Sequence, residues 1–202
     1  MLAEFVALER KENLLVRDGE MYYSDRFLTK EECAFYYLLF SKNTSWKSDH
    51  IQLFGKEYVT KRKTAFYGDP GLTYTYSGKE KVALPWSNTL QSLKNQLEKV
   101  SGFQFNSCLL NLYHNGNEGM SWHSDNEKEL GKTPVIASIS LGETRKFSWK
   151  HKTIKDRYDL YLEEGSLLIM QGAMQEHWLH CMPKTSKVQG SRINLSFRQI
   201  VH

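Results

Sequence analysis

Cysteine is scarce in this chain and badly placed for pairing. Cys33, Cys108 and Cys181 are the three present; they stand far apart, and no CxxC pair occurs. That argues against a disulfide framework and against a zinc ribbon, and it fits a reducing cytosol. Cys181 follows His180, but neighbours on a strand point to opposite faces, so it reads as a buried thiol and not as a ligand. No apolar run is long enough to span a bilayer, so no membrane partner is expected. Residues Met1 to Arg10 carry acids early and lack an apolar core followed by a small-residue cleavage site, so no signal peptide is expected. The expected location is cytoplasmic, or nuclear in a eukaryote. Internal repeats, low-complexity tracts and linkers are also missing, so residues 1–202 read as one domain, and nothing in them calls for an oligomer over a monomer.

Charge of one sign is not abundant either. The net charge of +4 is only mildly basic and a weak pointer to nucleic acid. The local pattern says more: Lys56, Lys61, Arg62 and Lys63 crowd one segment, and Lys146, Lys150, His151, Lys152 and Lys155 another. Such runs are usually solvated faces, and phosphate contact is the alternative.

Secondary structure divides along the chain. Thr29-Lys30-Glu31-Glu32 has the form of a capping box and opens a helix through about Phe40, whose Phe35, Tyr36, Tyr37 and Phe40 read as core. Residues 46 to 76 read as short strands and turns, with Gly68-Asp69-Pro70-Gly71 as a strong turn signal. Leu90, Leu93, Leu97 and Val100 recur at helical spacing, and Gly102 follows as a stop. From Phe105 the pattern becomes short strands at 105–113, 134–141, 145–150, 157–163, 166–171, 177–182 and 191–200, punctuated by glycine. The class is α+β: a jelly-roll (double-stranded β-helix) core of two antiparallel sheets over about 105–202, supported by N-terminal helices within about 1–104.

Within the strand-rich part stand His123-Ser124-Asp125, then His180, then Arg192-Ile193-Asn194-Leu195-Ser196-Phe197-Arg198. On a strand His123 and Asp125 share a face while Ser124 points away. Two imidazoles and one carboxylate can occupy one face of Fe(II) and leave positions open for oxygen. Arg192 and Arg198 are spaced to face inward together, and guanidinium groups hold the carboxylates of an organic acid bidentately. The order His-x-Asp, a long gap, His, then two arginines points to an Fe(II)- and 2-oxoglutarate-dependent oxygenase using O2.

These residues resemble the AlkB family of oxidative nucleic-acid dealkylases, closest to its animal-type members active on DNA. The likeness runs from about Ile51 to Ile200. Its pieces include Leu53-Phe54-Gly55-Lys56, Gly71 to Gly78, Asn111-Leu112-Tyr113, Trp122 to Glu127, Ala137 to Gly142, Gly165 to Met170 and Arg192 to Arg198. The resemblance implies that His123, Asp125 and His180 bind iron and that Asn111, Tyr113, Arg192, Asn194 and Arg198 hold 2-oxoglutarate. Serine at Ser196 stands where the family commonly has threonine, and it keeps the hydroxyl. The implied reaction is demethylation of N1-methyladenine and N3-methylcytosine in DNA, a direct-reversal repair that releases formaldehyde and succinate.

A cationic alkylated base calls for π faces and a carboxylate. Tyr74 and Tyr76 resemble the family's pocket wall, Glu127 resembles the acid that contacts the base edge, and His123 offers a second stacking surface. A half-buried strand surface is the ordinary alternative for the two tyrosines. The base must leave the duplex to react, and Phe54 resembles the wedge that fills the gap in members acting on duplex DNA. The segment Lys61-Arg62-Lys63 would hold phosphates. Two other readings remain: the same chemistry on RNA or another methylated molecule, and a non-catalytic nucleic-acid-binding β protein with structural zinc. The second lacks a fourth ligand, which structural zinc sites usually have.

Overall fold

The computed structural model describes residues 12–53, 56–76 and 79–201. Their strands are β1 (Glu20–Ser24), β2 (Lys47–Leu53), β3 (Lys56–Gly68), β4 (Thr73–Tyr76), β5 (Lys79–Val82), β6 (Leu84–Pro85), β7 (Ser107–Tyr113), β8 (Met120–His123), β9 (Ile136–Gly142), β10 (Arg145–His151), β11 (Arg157–Leu162), β12 (Leu167–Gln171), β13 (Trp178–Met182) and β14 (Arg192–Arg198). The helices are α1 (Lys30–Asn43), α2 (Asn88–Ser101) and the single turn α3 (Met174–His177). A major sheet runs β1-β12-β9-β14-β7-β3-β2, with β6 beside β3; a minor sheet runs β11-β10-β13-β8; β4 and β5 form a hairpin ribbon. Every pairing is antiparallel except β3 with β6. Two antiparallel sheets with helices on one side are the expected jelly-roll arrangement. The major sheet draws β1, β2 and β3 from the N-terminal part, so it continues across residue 104.

Local chemistry accounts for the helices. Both halves of the capping box form: Thr29 Oγ1 accepts from the Glu32 N–H at 3.2 Å, and Glu32 Oε2 accepts from the Thr29 N–H at 2.8 Å. Ser87 caps α2 at the Leu90 N–H, and Gly102 ends it in the left-handed region at φ 75. Leu90, Leu93 and Leu97 face the major sheet and are fully buried. On α1 the buried positions are Cys33, Tyr36 and Phe40. Phe35 is 56% exposed, which corrects its reading as core: it falls between the inward positions of a 3.6-residue turn. The turn after β3 closes where expected, with the Leu72 N–H donating to the Asp69 carbonyl at 3.1 Å.

Strand β14 lies in the middle of the major sheet, between β7 and β9, and all seven of its residues are buried. Ile193, Leu195 and Phe197 belong to the apolar cluster shared with α1 and α2. Arg192, Asn194, Ser196 and Arg198 occupy the alternate positions and line the pocket between the two sheets. Opposite them on β7 and β9 stand Tyr113, Asn111, Ser140 and Ser138. The fold therefore builds a polar pocket wall directly behind its hydrophobic core.

Candidate metal and co-substrate site

Pairing of β8 with β13 places His123 directly opposite His180. Their rings lie 4.2 Å apart between centroids. Strand β8 ends at His123, so Asp125 is not carried on a strand as the i, i+2 reading supposed. It reaches the same pocket from the following loop, where its N–H donates to Gln175 Oε1 at 2.9 Å. Asp125 Oδ1 lies 3.9 Å from His123 Nε2, and Oδ2 lies 3.9 Å from His180 Nε2. All three ligand atoms fall within 4.8 Å of one another.

The protonation pattern suits metal binding. His123 Nδ1 donates to the Ser121 carbonyl at 2.8 Å, which orients the ring with Nε2 facing Asp125. Burial, then the neighbouring His123, drives His180 down to about 3 against the pull of Asp125, so its imidazole is neutral. Burial alone would raise the Asp125 carboxyl; Arg198, then His180 and His123, outweigh it and hold the group at about 2. Arg198 lies 3.3 Å from Asp125 Oδ2.

Arg192 is placed differently. It is buried and donates to Ser140 Oγ at 2.9 Å and towards Met182 Sδ at 3.5 Å, and its guanidinium sits 5.8 Å from the Tyr113 ring. Among the described residues no carboxylate pairs with it, and burial lowers it to about 10. Its Nε and that of Arg198 are buried without a hydrogen-bond partner. A buried cation at one end of the pocket and a cation beside the metal ligands at the other are what a dicarboxylate would need.

The model of the 2OG-Fe(II) oxygenase superfamily matches residues 20–198. The chain belongs to this superfamily. Its relatives lie in the AlkB family. DNA oxidative demethylase ALKBH2 of Bos taurus is 38% identical over 75% of this chain and 57% of its own length. Alpha-ketoglutarate-dependent dioxygenase alkB homolog 3 of Homo sapiens is 42% identical over 71% of this chain and 53% of its own. DNA oxidative demethylase ALKBH2 of Arabidopsis thaliana is 32% identical, covering 96% of this chain and 71% of that protein. The chain thus spans little more than half the length of the two animal relatives. The solved structure of OsALKBH1 shares the fold, with a TM-score of 0.57 at 21% identity, covering 92% of this chain and all of that one.

Membership in the 2OG-Fe(II) oxygenase superfamily implies Fe(II), 2-oxoglutarate and O2. The residues present fit that set. His123 Nε2 and His180 Nε2 each face an Asp125 oxygen at 3.9 Å, too far apart to bond one another. Ligands held at about 2.0–2.2 Å on an ion sit roughly 3 Å apart, so a small inward movement would close the three around it.

The remaining pocket residues are positioned unequally. Asn111 faces Asn194 across the ladder, and its Oδ1 accepts from Arg62. Asn194 donates to Ser138 Oγ at 2.7 Å and accepts from Ser196 Oγ at 3.0 Å, so much of its capacity is spent within the sheet. Tyr74 is 2% exposed and packs on Phe66; it is more enclosed than a half-buried strand surface, and burial, opposed by Arg198 and helped by Glu127, raises its hydroxyl. Tyr76 ends β4, paired with Lys79. Phe54 lies outside the described residues.

Arg62 corrects the phosphate reading of Lys61-Arg62-Lys63. It is buried and pairs with Asp49 at 3.1 Å, while Asp49 also accepts from Thr64 and Lys81. His151 likewise leaves its basic cluster, buried against Asp18, and Lys146 pairs with Asp159 at 2.7 Å. The sequence reading missed Gln175 and the Asp49–Arg62 pair. Both act through tertiary contacts, and an isolated glutamine or a lysine-flanked arginine carries no periodic signal of that.

Among the described residues no helix is long and apolar enough to cross a membrane.

Proposed function

We propose that the chain is an oxidative DNA demethylase that uses Fe(II), 2-oxoglutarate and O2 to remove methyl groups from N1-methyladenine and N3-methylcytosine. The observation that carries this reading is Arg192: a buried guanidinium with no carboxylate partner among the described residues, in the pocket that holds the His–Asp–His face. The names of the ALKBH2 relatives support DNA as the substrate.

In this reading His123, Asp125 and His180 hold Fe(II), which when bound supplies the oxidation of a C–H bond on the N-alkyl group. Arg198, fixed by Asp125, holds the carboxylate of 2-oxoglutarate nearer the metal. Arg192, with Ser140 and Tyr113 around it, holds the far one, and the Asn111 amide nitrogen and Asn194 line the length between. Tyr74 and Tyr76 give the cationic base π surface, His123 stacks from the opposite side, and Glu127 offsets the base's positive charge at its edge. The hydroxylated alkyl group then collapses to formaldehyde and restores the base. Phe54 serves as the wedge that fills the space left by the flipped nucleotide.

The test is formaldehyde release from oligonucleotides carrying one N1-methyladenine, single-stranded or duplex, with Fe(II), 2-oxoglutarate and ascorbate. Release by the native chain and none by His123→Ala is the expected result. Phe54→Ala is expected to lose duplex repair and keep single-strand repair; equal loss on both would remove the wedge. Succinate formation without release from DNA would keep the oxygenase and transfer the substrate to RNA or another methylated molecule.

A further inference from the structure

A second group of metal-binding side chains converges at a corner of the minor sheet. Asp18, in the turn before β1, His151, the last residue of β10, and His177, the last of α3, each present a ligand atom within 4.8 Å of the others. His151 Nε2 lies 3.1 Å from Asp18 Oδ2. The two imidazole rings are nearly parallel, 10° apart with centroids at 6.0 Å. The His151 side chain is 5% exposed, against 43% for Asp18 and 40% for His177, so the cluster has a buried floor and an open mouth.

The turn that delivers Asp18 is held firmly. Gly19 lies so close to α3 that an added Cβ would stand 2.6 Å from the Met174 nitrogen. Trp178 Nε1 donates to the Arg17 carbonyl at 3.2 Å. Between these contacts Asp18 adopts φ 54, the one positive φ among the described non-glycine residues.

We propose that Asp18, His151 and His177 form a second divalent-metal site, separate from the His123–Asp125–His180 face, that takes a transition ion of the zinc class. Two imidazoles with one carboxylate favour such an ion over magnesium or calcium, which prefer all-oxygen sets. Tetrahedral zinc with bonds of about 2.0–2.1 Å spaces its ligand atoms roughly 3.3 Å apart, and the His151–Asp18 separation already approaches that. Only the half-exposed His177 ring must close, and water completes the shell. The Thr153 N–H donates to His151 Nδ1 at 3.2 Å, so the ring proton stands on Nε2 towards Asp18. Uptake of the ion at Nε2 would move that proton to Nδ1 and exchange the Thr153 N–H contact for Thr153 Oγ1, also 3.2 Å away, as acceptor. The ion would tie the segment before β1 to α3, the turn that carries Gln175 and through it the Asp125 backbone.

The test does not depend on demethylation. The full chain carrying His123→Ala, Asp125→Ala and His180→Ala is titrated with Zn2+ by calorimetry and with Co2+ by visible absorption. A single equivalent, a tetrahedral cobalt band and a rise in Tm are expected. His177→Gln and Asp18→Asn, both at exposed ligands, should each lower Zn2+ affinity at least about tenfold, a loss that even outer partners of metal sites commonly cause. In the chain with its first site intact, the same substitutions should reduce uptake from two equivalents to one, so the result does not hang on the folding of the triple variant. Zn2+ uptake indifferent to both substitutions, or a single equivalent in the native chain, would overturn the proposal and leave a hydrogen-bonded His151–Asp18 pair.

Discussion

The two faces of β14 are built from alternate residues of one buried strand, yet they solve opposite problems. Ile193, Leu195 and Phe197 meet Leu112, Leu110 and Cys108 on one neighbour and Leu141, Ile139 and Ala137 on the other. Each contact removes apolar surface from water, and the face is complete when packed. Arg192, Asn194, Ser196 and Arg198 are also buried, and every one must find polar partners. Asn194 and Ser196 find them within the sheet. The arginines are only partly satisfied, since the Nε of each stays unpartnered. A buried polar group without a partner costs about 1–3 kcal/mol, so this face retains an unfavourable free energy that an anion can relieve. One face therefore supplies stability, and the other gives some up, which the proposed function assigns to co-substrate binding.

Arg192→Met is the sharpest way to break that comparison, because the two faces then predict opposite signs. Burial lowers Arg192 to about 10, which corresponds to roughly 3 kcal/mol against its charged form in the fold. Removing the charge should raise Tm in the absence of co-substrate. Truncating one partner of a buried charge pair commonly costs about 2–5 kcal/mol of binding, so the apparent affinity for 2-oxoglutarate should fall roughly 30-fold or more. The unfolded chain holds this proton more tightly than the folded one, so the burial penalty fades as pH rises above about 10. Thermal unfolding with and without 2-oxoglutarate checks both signs: a native chain that gains no Tm from the co-substrate would remove Arg192 from its binding.

Phe197→Ala tests the other face. Phe197 is fully buried and contacts the Trp86 and Phe105 rings. Truncation of such a ring costs about 3–5 kcal/mol. Denaturant midpoints should fall accordingly, while 2-oxoglutarate affinity at a temperature where the variant is folded should change little. A selective loss of co-substrate binding, with stability intact, would mean that the two faces are not separable.

Alternation made much of this legible in advance. Arg-x-Asn-x-Ser-x-Arg on a strand must put its polar residues on one side, and that geometry needs no knowledge of the neighbours. Leu90, Leu93 and Leu97 reveal α2 for the same reason, through a period of 3.6. Asp125 was harder, because the ligand face is closed by a loop and not by the strand's own pleat. Arg62 was misread because charge in a sequence says nothing of burial; its partner Asp49 lies on a different strand. Gln175 was invisible, since its one relevant contact is with a backbone N–H fifty positions away.

Gln175→Leu measures what that hidden contact contributes. Gln175 is 2% exposed and holds the Asp125 N–H, so its removal should loosen the proposed ligand Asp125 without touching its carboxylate. Outer partners of this kind commonly contribute 10–100-fold in metal affinity. Fe(II) affinity should drop within that range, with activity restored at high Fe(II). Glutamate at the same position keeps an acceptor oxygen and should retain more affinity than leucine; equal loss in both would argue that Gln175 only fills space.

The smallest effect belongs to the thiols behind the apolar face. Cys33 and Cys108 both lie in the cluster under α1 and α2. Burial, then the nearby Glu164 and Glu32, pushes the Cys33 thiol up to about 11, and burial raises Cys108 well above its ordinary range. The charged form is the one penalised, so Cys33 contributes no pH dependence below about 9. Above that the unfolded chain ionises first, and stability falls as pH climbs towards about 11. Alkylation requires the thiolate, so iodoacetamide at pH 8 should label these two only after denaturant is added. Rapid labelling of the folded chain at Cys33 would show that α1 opens from the sheet far more easily than a closed apolar face allows.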